Sequence, residues 1–244
     1  MKILKYLLSQ EDVNLLGVVL NSTKKRKKSY TNEVKSELSN SKSQIIEFED
    51  NQDTYNIIAN LFSITDFGVS VLFGHKIPIE LLNTVKGELI NLHPSLLPIG
   101  RGADPIPWSI IDQKKQGITI HQIDSELDNG RILFQKEIQT NISMNSGDIY
   151  DICMSELFQE FIRIRPQWEE KKIKAKIQDG IKTKIHNSTE LNNRQIINED
   201  EIGTFGDFLR IMQACSFSDG RRPVLRDNFG KLWEINILIR NCKD

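Results

Sequence analysis

Two short segments of the chain carry residue types that serve proton transfer and oxyanion stabilisation. Asn91 and His93 lie at the end of one apolar run, and Asp128 lies in a turn-rich loop after another, at 118–123. Residues two apart on a β-strand point to the same side. Asn91 therefore offers an amide donor beside the imidazole of His93, and the carboxylate of Asp128 can orient that imidazole or raise its basicity.

Each of these residues also has a structural interpretation. A lone histidine at a strand end usually has no catalytic role, and an Asp before Asn129-Gly130 is usually a turn former. We assign no independent function to His75, His121 or His186. The two segments become informative when they are considered together.

The apolar runs are short and are separated by helical segments, which predicts an α/β fold whose parallel sheet is covered on both faces. Strands are predicted at 15–20, 45–48, 69–73, 88–92 and 118–123, and helices at 3–8 and 79–82. Ligands bind at the carboxyl ends of the strands in such sheets. Asn91 and His93 lie at such an end.

The second half of the chain has a different pattern. A long amphipathic helix is predicted at 147–166, and Pro166 is expected to end it. Strands at 182–185 and 231–238 and a helix at 205–214 then predict a small α+β unit. We therefore expect a catalytic domain at residues 1–166 and a small C-terminal α+β domain at residues 167–244.

Composition excludes several classes of protein. The chain has 244 residues, of which 39% are hydrophobic and 27% charged, an ordinary globular mix. Its net charge of -1 excludes a chain that is basic throughout and wraps bulk nucleic acid. Its cysteines form no CxxC pair and no apolar stretch is long enough to span a bilayer, which predicts a reduced, cytoplasmic protein without a metal site.

A polar stretch at 22–43 interrupts the early pattern and includes the basic run Lys24-Lys25-Arg26-Lys27-Lys28. Runs of like charge repel one another and stay exposed, which predicts a solvated, mobile loop. Electrostatic attraction of an anionic substrate is the alternative interpretation.

Four motifs together resemble the core signature of the folate-dependent formyltransferases. They are Asn91-x-His93-Pro94-Ser95-Leu96-Leu97-Pro98, Arg101-Gly102-x-x-Pro105, Gly117-x-Thr119-x-His121 and Leu127-Asp128-x-Gly130. The resemblance implies a Rossmann-like, mostly parallel sheet, N10-formyltetrahydrofolate as co-substrate, an amine acceptor and no metal. It also implies that Asn91, His93 and Asp128 are the catalytic residues.

The resemblance extends to the folate site and to the start of the fold. In this family the pterin lies between two segments that correspond here to 73–78 and 124–128. The residues so implied are Phe73, Gly74, Lys76, Asp124, Ser125 and Asp128. The family opens with a strand and a glycine-containing loop, whereas this sequence opens with a helical segment, so we expect the sheet to lack its first strand.

The segments 101–110, 135–138, 205–210 and 228–233 resemble the nucleotide-sugar members of the family most closely. This implies a dTDP- or UDP-linked amino sugar as acceptor, a role in surface polysaccharide (O-antigen) synthesis, and a homodimer formed through a C-terminal hairpin. Arg101, Trp108 and Trp233 are expected to bind the acceptor. Trp233 or Trp108 would stack on its base, with buried packing as the alternative role for each.

Several other functions stay open. The chain can be a methionyl-tRNA or glycinamide ribonucleotide formyltransferase, a formyltetrahydrofolate hydrolase, or a catalytically impaired paralogue that binds a nucleotide sugar or a partner. The tRNA enzymes carry a longer C-terminal barrel and a basic surface. The short C-terminal part and balanced charge of this chain therefore predict no nucleic-acid partner, and no membrane partner is expected.

Overall fold

A computed structural model describes residues 1–21, 31–180, 184–217 and 220–241. Helices and strands alternate along most of this part of the chain, which confirms the predicted α/β class. In chain order the elements are α1 (Lys2–Leu8), β1 (Gly17–Asn21), α2 (Thr31–Glu37), β2 (Gln44–Phe48), α3 (Gln52–Phe62), β3 (Phe67–Val71), α4 (Ile79–Leu82), β4 (Glu88–His93), α5 (Pro105–Ile111), β5 (Gln116–Gln122), β6 (Ile132–Ile138), α6 (Ser146–Glu169), α7 (Ser188–Arg194), β7 (Ile196–Asn198), α8 (Phe205–Ala214), β8 (Val224–Arg226) and β9 (Leu232–Glu234).

The strands of the described residues form three sheets. β1 and β2 are a parallel pair, β3, β4, β5 and β6 form a four-stranded sheet in that order, and β7, β8 and β9 form a third sheet. β5 and β6 are antiparallel, as are β8 and β9, whereas β7 and β8 are parallel. Parallel and antiparallel pairings therefore both occur in the fold, the third sheet contains both, and the C-terminal hairpin is β8–β9.

The chain divides into two compact units. The first unit comprises Met1–Asn91 and Gln122–Ser125, and the second comprises Leu92–His121 and Glu126–Asp244. The predicted domain boundary after Pro166 lies inside α6 and within the second unit. A division of the chain at that position stays a prediction.

The core of the first unit forms where α3 packs near β2. Asn51 caps α3 by accepting a hydrogen bond from the backbone N–H of Thr54, which satisfies one of the free donors at a helix start. The buried apolar residues of this core are Ile46, Phe48, Ile58, Leu61 and Leu81. Burial of each such side chain stabilises the fold by roughly 1.5–3 kcal/mol.

The helix α2 lies inside the stretch that was expected to be a solvated loop, so that prediction is wrong for residues 31–37. Val34 and Leu38 are both 4% exposed, and their burial gives this helix an apolar anchor that the surrounding polar residues obscure in the sequence. The basic run Lys24-Lys25-Arg26-Lys27-Lys28 lies outside the described residues.

The prediction that Pro166 ends the long helix is wrong, since α6 continues to Glu169. Proline removes one backbone N–H donor, but Pro166 lies in the last turns of the helix. Trp168 follows it and is 3% exposed, so burial of this large side chain offsets the lost hydrogen bond. At its other end, Asn145 and Asp148 form a capping box that fixes the start of α6.

The C-terminal elements agree with the sequence in part. α8 has the predicted bounds, whereas the strand predicted at 231–238 is shorter and spans β9 alone. Of the strand predicted at 182–185, residues 182–183 lie outside the described part, and residues 184–185 belong to no strand.

Within the described ranges, no helix is both long and apolar enough to cross a membrane. The cytoplasmic location stays a prediction.

Candidate active site

His93 lies at the end of β4, is 6% exposed and belongs to the second unit. Its Nε2 atom is 2.6 Å from the carbonyl oxygen of Gly100. A carbonyl oxygen can only accept a hydrogen bond, so Nε2 carries a proton and donates it. In neutral His93 the lone pair is therefore on Nδ1.

The carboxylate of Asp128 lies between two histidines of the same unit. Its Oδ1 atom is 4.0 Å from Nδ1 of His93 and 3.7 Å from Nε2 of His121. The backbone N–H of Gly102 donates to Oδ2 at 2.9 Å. The side chain of Asp128 is 10% exposed, so little solvent screens the interaction between its carboxylate and the two imidazoles.

The backbone of Asp128 has a φ of 50°, in the left-handed region. Aspartate visits this region more often than most residues, and the position precedes the turn pair Asn129-Gly130. The turn-forming and functional interpretations of Asp128 are thus compatible. The turn orients the side chain, and the N–H of Gly102 holds one of its oxygens.

Thr119 and Gln135 hold the loop that follows His93. The hydroxyl of Thr119 donates to Ser95 O at 2.7 Å and accepts from the N–H of Leu97 at 3.2 Å. The side-chain amide of Gln135 donates to Leu97 O at 2.8 Å and to Thr119 Oγ1 at 3.0 Å. These bonds satisfy backbone groups that the loop itself leaves unpaired. Thr119 is fully buried, so its bonds to Ser95 and Leu97 are shielded from water.

His121 was given no role from the sequence, yet it lies in the same cluster as His93 and Asp128. Its ring is edge-on to that of His93, with 6.0 Å between ring centroids. His121 lies on β5 two residues after Thr119, and side chains two apart on a strand share a face. This spacing was the signal that could have identified His121.

Asn91 lies on β4, two residues before His93, and is half-buried. It belongs to the first unit. Its catalytic role stays a prediction.

The predicted folate-binding residues other than Asp128 lie in the first unit. Phe73 packs with its ring edge-on to Phe48, and the N–H of Gly74 donates to Asn21 Oδ1 at 2.8 Å. Lys76 is exposed. The segment with Asp124 and Ser125 follows Ile123, whose N–H donates to Leu89 O at 2.8 Å. The folate role of these residues stays a prediction.

Arg101 and Trp108 line one cavity of the second unit, together with Lys114, Lys184 and His186. The indole of Trp108 stacks on the ring of His186, with 3.8 Å between centroids and 8° between planes. Trp108 also packs against the core of α7, β7 and α8, which agrees with the packing alternative. Arg101 is 5% exposed and donates from Nη2 to Gln178 Oε1 at 2.8 Å.

The third predicted acceptor residue, Trp233, does not line this cavity. It lies on β9, is 47% exposed and donates from Nε1 to Asp227 Oδ2 at 2.8 Å. The ammonium of Lys231 covers its ring at 3.8 Å from the centroid. Trp233 is therefore not a buried packing residue, and its role in acceptor binding stays a prediction.

Over the part of the chain that the structure describes, no group of three or more His, Cys, Asp or Glu side chains is arranged to hold a metal ion.

Cys153 and Cys215 are buried and unpaired with one another. Burial raises the pKa of the Cys153 thiol to about 12 and that of Cys215 to about 11, so both thiols stay protonated near neutral pH.

Two relatives of known name match the chain over different lengths. Methionyl-tRNA formyltransferase of Clostridium novyi is 44% identical over 90 residues, which are 36% of this chain and 29% of that enzyme. The chain thus spans less than a third of this relative. dTDP-4-amino-4,6-dideoxyglucose formyltransferase of Mycobacterium bovis is 29% identical over 199 residues, 77% of this chain and 79% of that enzyme.

Two solved structures are similar in fold. A 4-N formyltransferase from Francisella tularensis has a TM-score of 0.82 and 25% identity, covering 99% of this chain and 93% of that one. The formyltransferase PseJ from Anoxybacillus kamchatkensis, solved with UDP-4,6-dideoxy-4-formamido-L-AltNAc and tetrahydrofolate, has a TM-score of 0.55 and 26% identity. It covers 72% of this chain and 87% of its own.

The model of one protein family, described as formyl transferase, matches residues 3–164. The match covers more than half of the chain and includes the segments that carry His93, His121 and Asp128. The resemblance seen in the sequence motifs is thereby confirmed, and the chain belongs to the formyl transferase family.

Proposed function

We propose that the chain transfers a formyl group from N10-formyltetrahydrofolate to the amine of a nucleotide-linked amino sugar. The observation that carries the proposal is the buried cluster of Asp128 with His93 and His121. Two similarities support the acceptor class. The mycobacterial relative named for a dTDP-linked amino sugar matches 77% of the chain, and the Anoxybacillus structure contains tetrahydrofolate and a UDP-linked formamido sugar.

In this reaction the acceptor amine attacks the formyl carbon and forms a tetrahedral oxyanion. The bond from the formyl carbon to N10 of the folate then breaks, and the proton lost by the amine passes to N10. Nδ1 of His93 holds the lone pair that receives this proton, and Asp128 stabilises the imidazolium that results. Such general acid–base transfer contributes roughly 10²–10⁴-fold to the rate.

Asn91 keeps its predicted role as a donor to the oxyanion through its side-chain NH2. One donor of this kind is typically worth about 3 kcal/mol in the transition state. We assign folate binding to the first unit, where Phe73, Gly74 and Lys76 follow β3, and Asp124 and Ser125 follow β5. These assignments rest on the family resemblance.

We assign the diphosphate of the acceptor to Arg101. A buried guanidinium requires a counter-charge, and none of the described carboxylates lies within ion-pair distance of Arg101. Its Nε atom, like Nε1 of Trp108, is buried and has no hydrogen-bond partner among the described residues. Lys114, Lys184 and Asp112 line the same cavity, and Lys184 also pairs with Glu190 at 2.6 Å. This site suits an anion with several acceptor oxygens.

We further propose that the enzyme is a homodimer formed through the β8–β9 hairpin. β9 ends its sheet in the described strand order, and Leu232 and Trp233 are 54% and 47% exposed. Phe229, at the turn of the hairpin, is 97% exposed. An exposed apolar edge strand favours pairing with another chain. Leu232→Lys should therefore give a monomer by light scattering, whereas a wild-type monomer would contradict the proposal.

The acceptor assay separates the candidate functions. Purified protein is incubated with N10-formyltetrahydrofolate and one acceptor at a time. The acceptors are a dTDP- or UDP-linked 4-amino or 3-amino dideoxyhexose, methionyl-tRNA and glycinamide ribonucleotide, and one reaction contains no amine. Mass spectrometry detects the formylated product, and a formate assay detects hydrolysis. We expect product with a nucleotide-linked amino sugar, the type of intermediate used for surface polysaccharides.

Other outcomes of this assay identify the alternatives. Formylation of methionyl-tRNA alone would favour the tRNA function. The local 44% identity to the clostridial enzyme is the observation that supports this alternative. Formate release without any amine would identify a hydrolase. Absence of both activities, with retained binding of a nucleotide sugar, would identify an impaired paralogue.

A further inference from the structure

We infer that Gln178, in the segment after α6, is a positioning residue that couples Arg101 to the catalytic loop around Asp128. Its Oε1 atom accepts from Nη2 of Arg101 at 2.8 Å. Its Nε2 atom donates to Asp128 O at 3.0 Å and to Gly130 O at 2.8 Å. One carboxamide thus binds the residue assigned to the acceptor and the backbone of the residue assigned to catalysis.

The orientation of this amide follows from its partners. Arginine has only donors, so the atom that faces Arg101 must be the oxygen of Gln178. The other two partners are carbonyl oxygens, which only accept, so the atom that faces them must be the nitrogen. All three contacts would be lost if the amide were turned over. The position therefore requires glutamine's combination of one acceptor and two donors.

The backbone around Gln178 is held beside the same loop. Ile132, the first residue of β6, exchanges two hydrogen bonds with Lys176, at 2.7 Å and 2.8 Å. Lys176 precedes Gln178 by two residues, and Gly130 precedes Ile132 by two. This pair of backbone hydrogen bonds therefore places Gln178 opposite Gly130, within reach of its carbonyl oxygen.

The hydrogen bonds of Gln178 close a ring of contacts that joins the segment of Arg101 and Gly102 to the loop of Asp128. Gly102 donates its N–H to Oδ2 of Asp128, Asp128 accepts from Gln178 through its carbonyl, and Gln178 accepts from Arg101. Arg101 is bonded to Gly102 along the chain, which closes the ring. Displacement of the Arg101 guanidinium by a bound anion is therefore transmitted to both the carboxylate and the backbone of Asp128. This inference rests on the proposed function for the roles of Arg101 and Asp128.

The kinetic test compares Gln178→Ala with Ile177→Ala, an adjacent residue that is 65% exposed. Loss of the hydrogen bonds should lower kcat by about 10–100-fold in Gln178→Ala, whereas Ile177→Ala should stay near the wild-type value. Equal kcat values for the two variants would overturn the inference. Gln178→Glu has the same size but sets a carboxylate against two carbonyl oxygens, so it should lose kcat as well, even if Gln178→Ala fails to fold.

A double-mutant cycle separates positioning from mere stabilisation. If Gln178 acts through Asp128, Gln178→Ala should lower kcat by less than about threefold in an Asp128→Asn background. A purely structural contribution would lower kcat by the same factor in both backgrounds, which would overturn the inference. Thermal unfolding of all variants gives the stability difference against which the kinetic loss is compared.

Hydrogen–deuterium exchange gives a readout that needs no turnover. With dTDP as the probe, the amides of residues 126–132 should exchange more slowly in the wild type than without dTDP, and this protection should be lost in Gln178→Ala. Protection of equal size in both proteins would overturn the inference. A wild type that shows the protection but forms no formylated sugar would instead contradict the proposed function and leave the coupling through Gln178 supported.

Discussion

Oδ1 of Asp128 faces Nδ1 of His93 across 4.0 Å in the interior of the second unit. This distance exceeds that of a direct hydrogen bond, so a proton-bearing atom of a substrate or a water fits the role of bridging the two groups. Both side chains are at most 10% exposed. A charge on either group would therefore interact with the other with little screening by solvent.

Asp128→Asn should lower kcat for formyl transfer at least about 10²-fold, because the neutral amide no longer stabilises the imidazolium. The measurement is the rate of tetrahydrofolate formation at saturating acceptor. Asp151→Asn, the same chemical change at an exposed position of α6, is the matched control and should leave the rate unchanged. Comparable rates for the two variants would show that Asp128 has no catalytic role.

His121→Phe should lower kcat by about 10–100-fold, less than Asp128→Asn, since it removes one neighbour of the carboxylate. Gly102 still holds Oδ2 in this variant, so the carboxylate keeps much of its orientation. The phenyl ring preserves the volume of a side chain that is 2% exposed. If His121→Phe retained wild-type kcat, His121 would be a packing residue only.

The sequence predicts an element correctly where the spacing of its apolar residues and the residues at its ends indicate the same structure. α8 was predicted at its observed bounds because its apolar residues recur at helical spacing, and Thr204 and Asp207 form a capping box at its start. β6 was not predicted, because its apolar and polar residues do not alternate: three apolar residues are followed by three polar ones. In the structure all of its residues except Ile138 are half-buried or exposed.

The site was predictable only as far as the family resemblance reached. His93 and Asp128 were predicted through their motifs. His121 was not, although it lies two residues after Thr119 on the same strand, a spacing that places both side chains on one face. Gln178 lies 50 residues from Asp128 along the chain, and its three hydrogen bonds arise from tertiary packing alone. No pattern in the sequence indicates such a contact.

Thr119→Val should destabilise the protein by roughly 2–3 kcal/mol, because it keeps the shape of the side chain but leaves buried polar groups unpaired. The groups affected are Ser95 O and the N–H of Leu97, whereas the amide of Gln135 keeps its bond to Leu97 O. Urea unfolding at neutral pH measures the change. Ser70→Ala, on a half-buried strand of the first unit, serves as a comparison. A loss below about 0.5 kcal/mol for Thr119→Val would contradict the account of this loop.

Glu190 should make stability depend on pH in the acid range. Hydrogen bonds from Lys184 and, next, from His186 lower the pKa of this carboxyl from 4.5 to about 2. A group whose pKa is lowered by folding stabilises the protein fully above the unfolded value, and this contribution is lost as the pH falls through the folded value.

The unfolding midpoint of the wild type should therefore exceed that of Glu190→Gln by a constant amount above about pH 5. The difference should shrink between pH 4.5 and about 2 and should also decrease with added salt, since the carboxylate is partly exposed. A difference that persists unchanged to pH 2, or none at neutral pH, would refute this assignment.

The transfer reaction itself tests the central claim most directly. Wild-type protein and Asp128→Asn are each supplied with N10-formyltetrahydrofolate and, in separate reactions, with the dTDP- and UDP-linked 4-amino and 3-amino dideoxyhexoses, and each formylated sugar nucleotide is quantified by mass spectrometry. The account predicts acceptor-dependent product in the wild type and at least about 10²-fold less in Asp128→Asn. Equal yields from the two proteins, or a wild type that formylates no nucleotide-linked amino sugar, would contradict it.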